Sequence, residues 1–255
     1  MSLERREVVA VDVHAPVATV WEHLRDPRLV RRWFGWDHDG LDAEIQELFV
    51  AGVREEHDHT DGVTTRSLLW RNHDHLTITA RDDDPATTHV AVTRPSHDGL
   101  STFDGVFDEM DEGWTQFVHQ LAFALEVHPG EDRVTLTSHR LDAGGRSDPL
   151  LFRAGLHGVR GLPVGAHVEA TRPDGSRVGG RVRYKTEHQV GVHLQGIAES
   201  LLVLVVRPAV EAPPNGAVDA TLSTYGLDAG VLDEARRRWA GWWRAGTPAR
   251  VRAGS

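Results

Sequence analysis

Asp108-Glu109-Met110-Asp111-Glu112-Gly113-Trp114-Thr115-Gln116-Phe117-Val118-His119-Gln120-Leu121-Ala122-Phe123-Ala124-Leu125-Glu126 is the stretch on which the fold turns. It opens with acids, which suit the positive end of a helix macrodipole. Trp114, Val118, Leu121 and Leu125 then recur at i, i+4, i+7 and i+11, with Phe117 and Ala124 beside them. Pro129-Gly130 follows, where a helix stops. A helix of about 18 residues is roughly 27 Å long, enough to cross a sheet. The chain from about 42 to 96 reads as strands. The prediction is a sheet wrapped around this helix.

Upstream, Glu7 to His14 alternates as a strand with Val9, Val11 and Val13 on one face. A short helix over Val17 to Leu24 follows the break at Ala15-Pro16. Asp26-Pro27 starts a second, with Asp26 as N-cap and Pro27 at the first helical position. That helix is expected to run through Leu29, Val30, Trp33 and Phe34 to Gly35. Strands are expected at 42–49, 51–58, 63–71, 74–81 and 87–94, with turns at Asp61-Gly62 and Asp82 to Pro85.

The second half repeats the plan. It reads as a strand over Arg133 to Leu141, then a helix from Asp148-Pro149 through Leu150, Leu151, Phe152, Leu156 and Val159. Strands fit 166–172, 176–186, 188–197, 200–207 and 217–226. A last helix over 228–245 carries Leu232, Ala235, Trp239 and Trp242. Trp114 and Trp239 are 125 residues apart, as are Val9 and Val134. That common offset points to a tandem duplication, with domains at 1–128 and 129–255.

The 255 residues are 40% hydrophobic and 26% charged, ordinary for a globular chain of one large or two modest domains. A net charge of -10 argues against nucleic acid as a partner, because phosphate binding needs a basic surface. There is no cysteine, which excludes disulfides, thiolate metal sites and cysteine nucleophiles. The charged start does not read as a signal peptide, and the longest apolar run, Leu201 to Val206, is too short to insert in a membrane. A cytoplasmic protein is expected. Glycine-rich phosphate loops, zinc-protease histidine pairs and the Gly-x-Ser-x-Gly elbow are absent.

Val11-Asp12-Val13-His14-Ala15-Pro16-Val17-Ala18-Thr19-Val20-Trp21-Glu22-His23-Leu24-Arg25-Asp26-Pro27, continuing to Arg32-Trp33-Phe34-Gly35, resembles the START-like or SRPBCC superfamily. Within it, the stretch is similar to the bacterial homologues of the activator of the heat-shock-protein-90 ATPase. Their pattern is a strand, Ala-Pro, a Val-Trp helix, then an Asp-Pro helix ending in Trp-Phe-Gly. Glu112-Gly113-Trp114 and Phe117 match the start of that family's C-terminal helix, so the resemblance covers roughly residues 5 to 127. The second half looks like a divergent second lobe. Its Leu222-Ser223-Thr224-Tyr225-Gly226-Leu227 is similar to paired-lobe actinobacterial relatives, but it lacks a Trp-Phe-Gly segment. The resemblance implies an α+β helix-grip fold, duplicated, in which an antiparallel sheet curls around a long C-terminal helix.

Trp33, Phe34, Trp36, Trp70, Trp114 and Phe117 are the candidate ligand-binding residues. They lie in the elements expected to enclose the space between sheet and helix, and either fill a core or wall a cavity for a small hydrophobic or amphipathic molecule. His57-Asp58-His59 and His73-Asp74-His75 place imidazoles at i, i+2, a spacing that on a strand could chelate zinc or nickel. Both segments are polar and beside turns, so solvated loops are the stronger account of them. His119 lies one residue off the apolar face of the long helix. Glu47 shares a strand face with Ile45 and Phe49 by alternation, whereas Glu55 and Glu56 are adjacent and alternation does not choose between them. Asp104, Asp108, Glu109, Asp111 and Glu112 serve either as helix N-terminal stabilisation or as a docking surface. No catalytic residue, metal ligand or cofactor is assigned. The expected function is non-enzymatic binding of a small hydrophobic or amphipathic ligand. The alternatives are a co-chaperone-like activator of a heat-shock ATPase and a cavity enzyme of the polyketide cyclase or hydrolase type.

Overall fold

The computed structural model describes residues 4–96, 107–196 and 198–244. The chain is α+β and divides into two compact units, residues 1–133 and 134–255. Each holds one antiparallel sheet.

In the first unit, β1 (Arg5–Val13) is followed by the short helices α1 (Val17–Arg25) and α2 (Pro27–Val30). The Asp26 side chain caps α2 by accepting from the Arg28 N–H at 2.9 Å, with Pro27 at the first helical position. α2 is shorter than expected: it ends at Val30, and Gly35 closes the following turns at φ +61°. The predicted strand at 42–49 is helical instead. α3 (Leu41–Ile45) runs into a π-helical turn, Gln46–Ala51. Leu41, Ile45 and Phe49 are four residues apart and all buried, so the apolar spacing is that of a helix face. The alternation Ile45-Glu47-Phe49 is a by-product of that spacing. Glu47 therefore does not share a face with Ile45 and Phe49 and is exposed.

The strands β2 (Val53–Thr60), β3 (Val63–Trp70), β4 (His75–Arg81) and β5 (Asp84–Pro95) form a meander, closed by β1 pairing with β5 in the order β1-β5-β4-β3-β2. Asp61 and Gly62 both have positive φ, 53° and 72°, as a two-residue hairpin between twisted strands demands. α4 (Glu109–Val127) is the helix of the opening stretch. Asp108 caps it by accepting from the N–H groups of Met110 at 2.9 Å and Asp111 at 3.1 Å. Its buried stripe includes Trp114, Val118, Leu121 and Leu125. It packs along β1, and its end is tied there by Glu126, which accepts from the His14 N–H at 3.0 Å.

β6 (Arg133–Asp142) starts on the last residue of the first unit and runs on in the second, which then has the four-residue helix α5 (Leu150–Arg153), a 3-10 turn Val159–Gly161, and the strands β7 (His167–Thr171), β8 (Arg177–Lys185), β9 (Gln189–Gln195), β10 (Glu199–Arg207) and β11 (Ala217–Tyr225). The expected helix from Asp148 to Val159 is thus cut short. Gly155 interrupts it at φ +75°, where a Cβ would fall 2.1 Å from the Thr171 carbonyl oxygen. The sheet order is β6-β11-β10-β9-β8-β7. As in the first unit, the first strand pairs with the last and the others form a meander. α6 (Ala229–Trp243) follows, capped by Asp228, which accepts from the Val231 N–H at 2.9 Å. Trp239, Trp242 and Trp243 join the buried cluster of Leu194, Leu202, Val192 and Val218. No helix of the described residues is long and apolar enough to cross a membrane.

Candidate functional site

Five aromatic rings of the first unit close a cycle. Phe34 meets Phe49 at 4.8 Å between centroids, Phe49 meets Trp70 at 5.7 Å and Trp70 meets Trp114 at 5.1 Å. Trp114 meets Phe117 at 6.5 Å, and Phe117 returns to Phe34 at 4.8 Å. Trp33 packs edge-on against Phe34 and Phe49, and Trp36 lies 6.4 Å from Phe117. These separations suit edge-to-face and tilted aromatic pairs. All six sequence-predicted residues, Trp33, Phe34, Trp36, Trp70, Trp114 and Phe117, are therefore in one connected cluster. Phe49 is the added member. Trp33 is fully buried, whereas Trp36 is 36% exposed and Phe117 is half-buried, so the cluster runs from core to surface.

The indole N–H groups of the three buried tryptophans of this cluster are placed. Trp33 donates to the His23 carbonyl at 2.8 Å, Trp70 to the Leu48 carbonyl at 2.8 Å and Trp114 to Asp74 at 3.1 Å. Trp70 thus pins the π-helical turn to β3, and Arg25 holds the same turn by donating to the Phe49 carbonyl. The chain leaves its helix after Val30, so the carbonyls of Trp33 and Phe34 need donors from elsewhere. Gln120 of α4 donates to the Trp33 oxygen at 2.6 Å, and Arg133 donates to it at 2.8 Å and also to the Phe34 oxygen. Gln116 completes the buried frame by donating to Gln120 at 3.0 Å.

A charge cluster sits at the start of α4. Asp74, buried in the turn before β4, receives Trp114, Asn72 at 3.0 Å and Arg94 at 3.0 Å. Arg94 also reaches Asp108 at 3.1 Å and Asp111, which in turn pairs with Arg6. Burial alone would lower the Arg94 pKa, but its bonds to Asp111 and Asp74 outweigh that and raise it. Burial likewise works to raise the Asp108 carboxyl, and the Asp111 N–H with the Arg94 charge brings it below the ordinary value. Asp108 and Asp111 are thus tied into cap and ion pairs. Asp104 lies outside the described residues.

His57 and His59 are exposed on β2. His57 is 3.3 Å from Glu55, and His59 is 3.1 Å from the Thr64 hydroxyl. His73 sits in the turn at φ 66°. Burial and the Arg5 charge lower the pKa of His75. Among the described residues no three His, Asp or Glu side chains are grouped to hold a metal ion. Glu55 pairs with Arg25 at 2.7 Å and Glu56 with Arg54 at 2.8 Å, and His119 is half-buried on α4. An open groove of about 770 Å³ is bordered by Arg28, Arg31, Arg32 and Arg133. Its guanidinium groups are engaged, Arg31 with Asp37 and Asp42 and Arg32 with Asp132.

No family model matches the chain, and no curated protein matches it. Among solved structures, the chain is similar to the di-domain ARO/CYC BexL from the BE-7585A biosynthetic pathway. The identity is 12% and the TM-score 0.33, with 98% of this chain and 100% of that chain covered. It is also similar to the di-domain ARO/CYC StfQ from the steffimycin biosynthetic pathway, with 16% identity, a TM-score of 0.28 and coverage of 96% and 100%. At these values the likeness carries no function from those proteins to this chain.

Proposed function

We propose that the chain is a tandem helix-grip protein of the START-like type, with lobes at about 1–128 and 129–255, that binds a small hydrophobic or amphipathic ligand without transforming it. The shared strand order of the two units, each followed by a helix, supports the tandem reading. So does the resemblance of residues 5 to 127 to bacterial homologues of the heat-shock-protein-90 ATPase activator. The ligand is received on the aromatic wall of the first lobe, by Trp36, Phe117, Trp114 and Trp70, with Trp33 and Phe34 behind them.

The observation that carries this reading is the exposed Trp36 ring set against the half-buried Phe117. A cluster that served packing alone would gain most by burying its largest rings. Here a continuous aromatic path leads from the surface to fully buried Trp33. Apolar burial contributes about 25 cal/mol per Å², so covering about 200 Å² supplies roughly 5 kcal/mol before the costs of association.

Native mass spectrometry of the purified full chain tests the reading. A co-purifying small molecule is expected, with occupancy reduced in Trp36→Ala while the fold is kept. No bound molecule, together with no quenching of tryptophan fluorescence by an aromatic probe such as anilinonaphthalene sulfonate, would count against it. Chemical change of a bound ligand would favour a cavity enzyme of the cyclase type instead.

A further inference from the structure

The second unit has its own cavity, of about 50 Å³, between the sheet and α6. Its walls include Leu194, Leu222, Ala235, Trp239 and Trp242. Ser200 and Leu194 are directly paired across β10 and β9, and Leu202, two residues along β10, faces Leu222 of β11. Alternation therefore puts Leu194, Ser200 and Leu222 on one face. The aliphatic and indole groups make the cavity apolar, with the Ser200 hydroxyl as a polar point inside it.

Arg172, just after β7, also lines this cavity. Its guanidinium carbon lies 4.8 Å from the Trp242 ring centroid, and Trp242 is fixed by donating its own N–H to the Ala154 carbonyl at 2.9 Å. Stacking engages the face of a guanidinium and leaves its in-plane donors to find acceptors. Those donors are poorly used. Nε is buried and makes no hydrogen bond, and Nη1 reaches only the Ser176 hydroxyl at 3.4 Å. Asp174 is nearby, but its Oδ1 accepts from the Ser176 hydroxyl and N–H at 2.6 and 2.9 Å. Burial lowers the Arg172 pKa, Asp174 raises it and Arg238 lowers it again. Arg238, the second cation on the lining, is engaged with Glu234 at 2.6 Å.

A cation stacked on an indole, short of in-plane acceptors and facing an apolar space, has the complement of an anion with a short apolar tail. We infer that the second unit binds a short-chain carboxylate, its oxygens on the Nη1–Nη2 edge of the Arg172 guanidinium and its alkyl group against Leu194, Leu222 and Trp239. The bond is of the charge-assisted, fork type that arginine makes with carboxylates. The volume sets the tail: at about 10–15 Å³ per water-sized group, the cavity takes roughly three to five such groups. The alkyl tails of butyrate, valerate and hexanoate, with three to five carbons, are of that size. The site uses none of the aromatic wall of the first lobe and does not rest on it.

Titration of the full chain with butyrate, n-butanol and butyramide, followed through the indole N–H resonances of Trp239 and Trp242, tests the inference. Saturable shifts with butyrate are expected, with roughly 10- to 100-fold weaker binding of the two neutral analogues. Arg172→Gln is expected to bring butyrate down to the level of butanol, and Arg172→Lys to recover little, because the ammonium lacks the fork. Equal binding of all three in the native chain would overturn the carboxylate assignment, a comparison that does not depend on how any variant folds. Shifts confined to the Trp36 and Trp114 resonances, or none at all, would overturn the site. Loss of the aromatic-wall ligand in Trp36→Ala leaves these outcomes unaffected, so the two readings fail separately.

Discussion

The indole Nε1 of Trp114 donates to Oδ2 of Asp74 at 3.1 Å, across 40 residues of sequence. The contact joins the long helix to the turn that leads into β4, and it brings a buried carboxylate to the edge of the aromatic cluster. Asp74 also accepts from Arg94 and Asn72, so its charge is spread over three donors rather than left to one.

Asp74→Ala should therefore be costly for a turn residue. It strips an acceptor from buried Trp114 and Arg94 at once, and the expected loss is about 3 kcal/mol. Arg94 keeps Asp108 and Asp111, which limits the damage. Trp114→Phe removes the donor and some ring volume. In a double-mutant cycle by urea unfolding, Trp114→Phe should cost less in the Asp74→Ala background than in the native chain. Strictly additive losses would mean that the hydrogen bond contributes nothing.

Asp108 gives the chain a dependence on acid. Its folded pKa lies below the unfolded value of about 3.9. The stabilisation is fully present above that value and is lost as pH falls through the folded pKa. Asn is as good an N-cap as Asp, so Asp108→Asn keeps the cap geometry while deleting the charge seen by Arg94. The variant should show a shallower fall of unfolding free energy below about pH 4. Asp108→Ala should in addition lose about 1 kcal/mol at neutral pH, the usual worth of a cap.

The π-helical turn rests on Gly52. Its N–H donates to the Glu47 carbonyl at 2.7 Å, closing the wider i to i+5 ring, and a Cβ there would lie 2.6 Å from that same oxygen. Gly52→Ala should cost about 1–3 kcal/mol, because one backbone atom must give way. The shift should be felt at Trp70, which bonds the Leu48 carbonyl within the turn. Gly145→Ala, where a Cβ meets nothing within 4 Å, should be near neutral and is the control.

That turn also marks where the chain was legible in sequence and where it was not. The helix at Glu109–Val127 shows through because its stripe runs for several turns and has a capping acid and a stop. Ile45, Glu47 and Phe49 satisfy a two-residue alternation and a four-residue helical spacing equally well over so short a run. The strand assignment hid Phe49, the ring that links Phe34 to Trp70. Leu41, one turn before Ile45, was the available signal. The donors to the Trp33 and Phe34 carbonyls had no local signature. Gln120 and Arg133 lie 87 and 100 residues from Trp33 in the chain, and hydrogen bonds of that span leave no periodicity. Asp74 was masked by its setting, a polar His-Asp-His run that reads as solvated although its central residue is buried.

His23 supplies the last expectation, at milder pH. It is buried on α1, 2.9 Å from the Thr19 carbonyl. Burial is the main influence and lowers its pKa, the Thr19 bond opposes this, and Arg32 adds to the lowering. The folded chain thus holds the imidazole neutral at a pH where the unfolded chain, with a pKa of about 6.5, binds a proton. Stability is full above that value and falls as pH drops through the folded pKa. Burial is the main cause of the same lowering at His75 and His139, so replacing one histidine removes only part of the effect. Urea midpoints measured between pH 7.5 and about 5, above the range in which carboxylates titrate, should decline for the native chain and decline less for His23→Leu. An unchanged slope in the variant would show that His23 does not change its proton occupancy on unfolding, whatever its burial in the folded state.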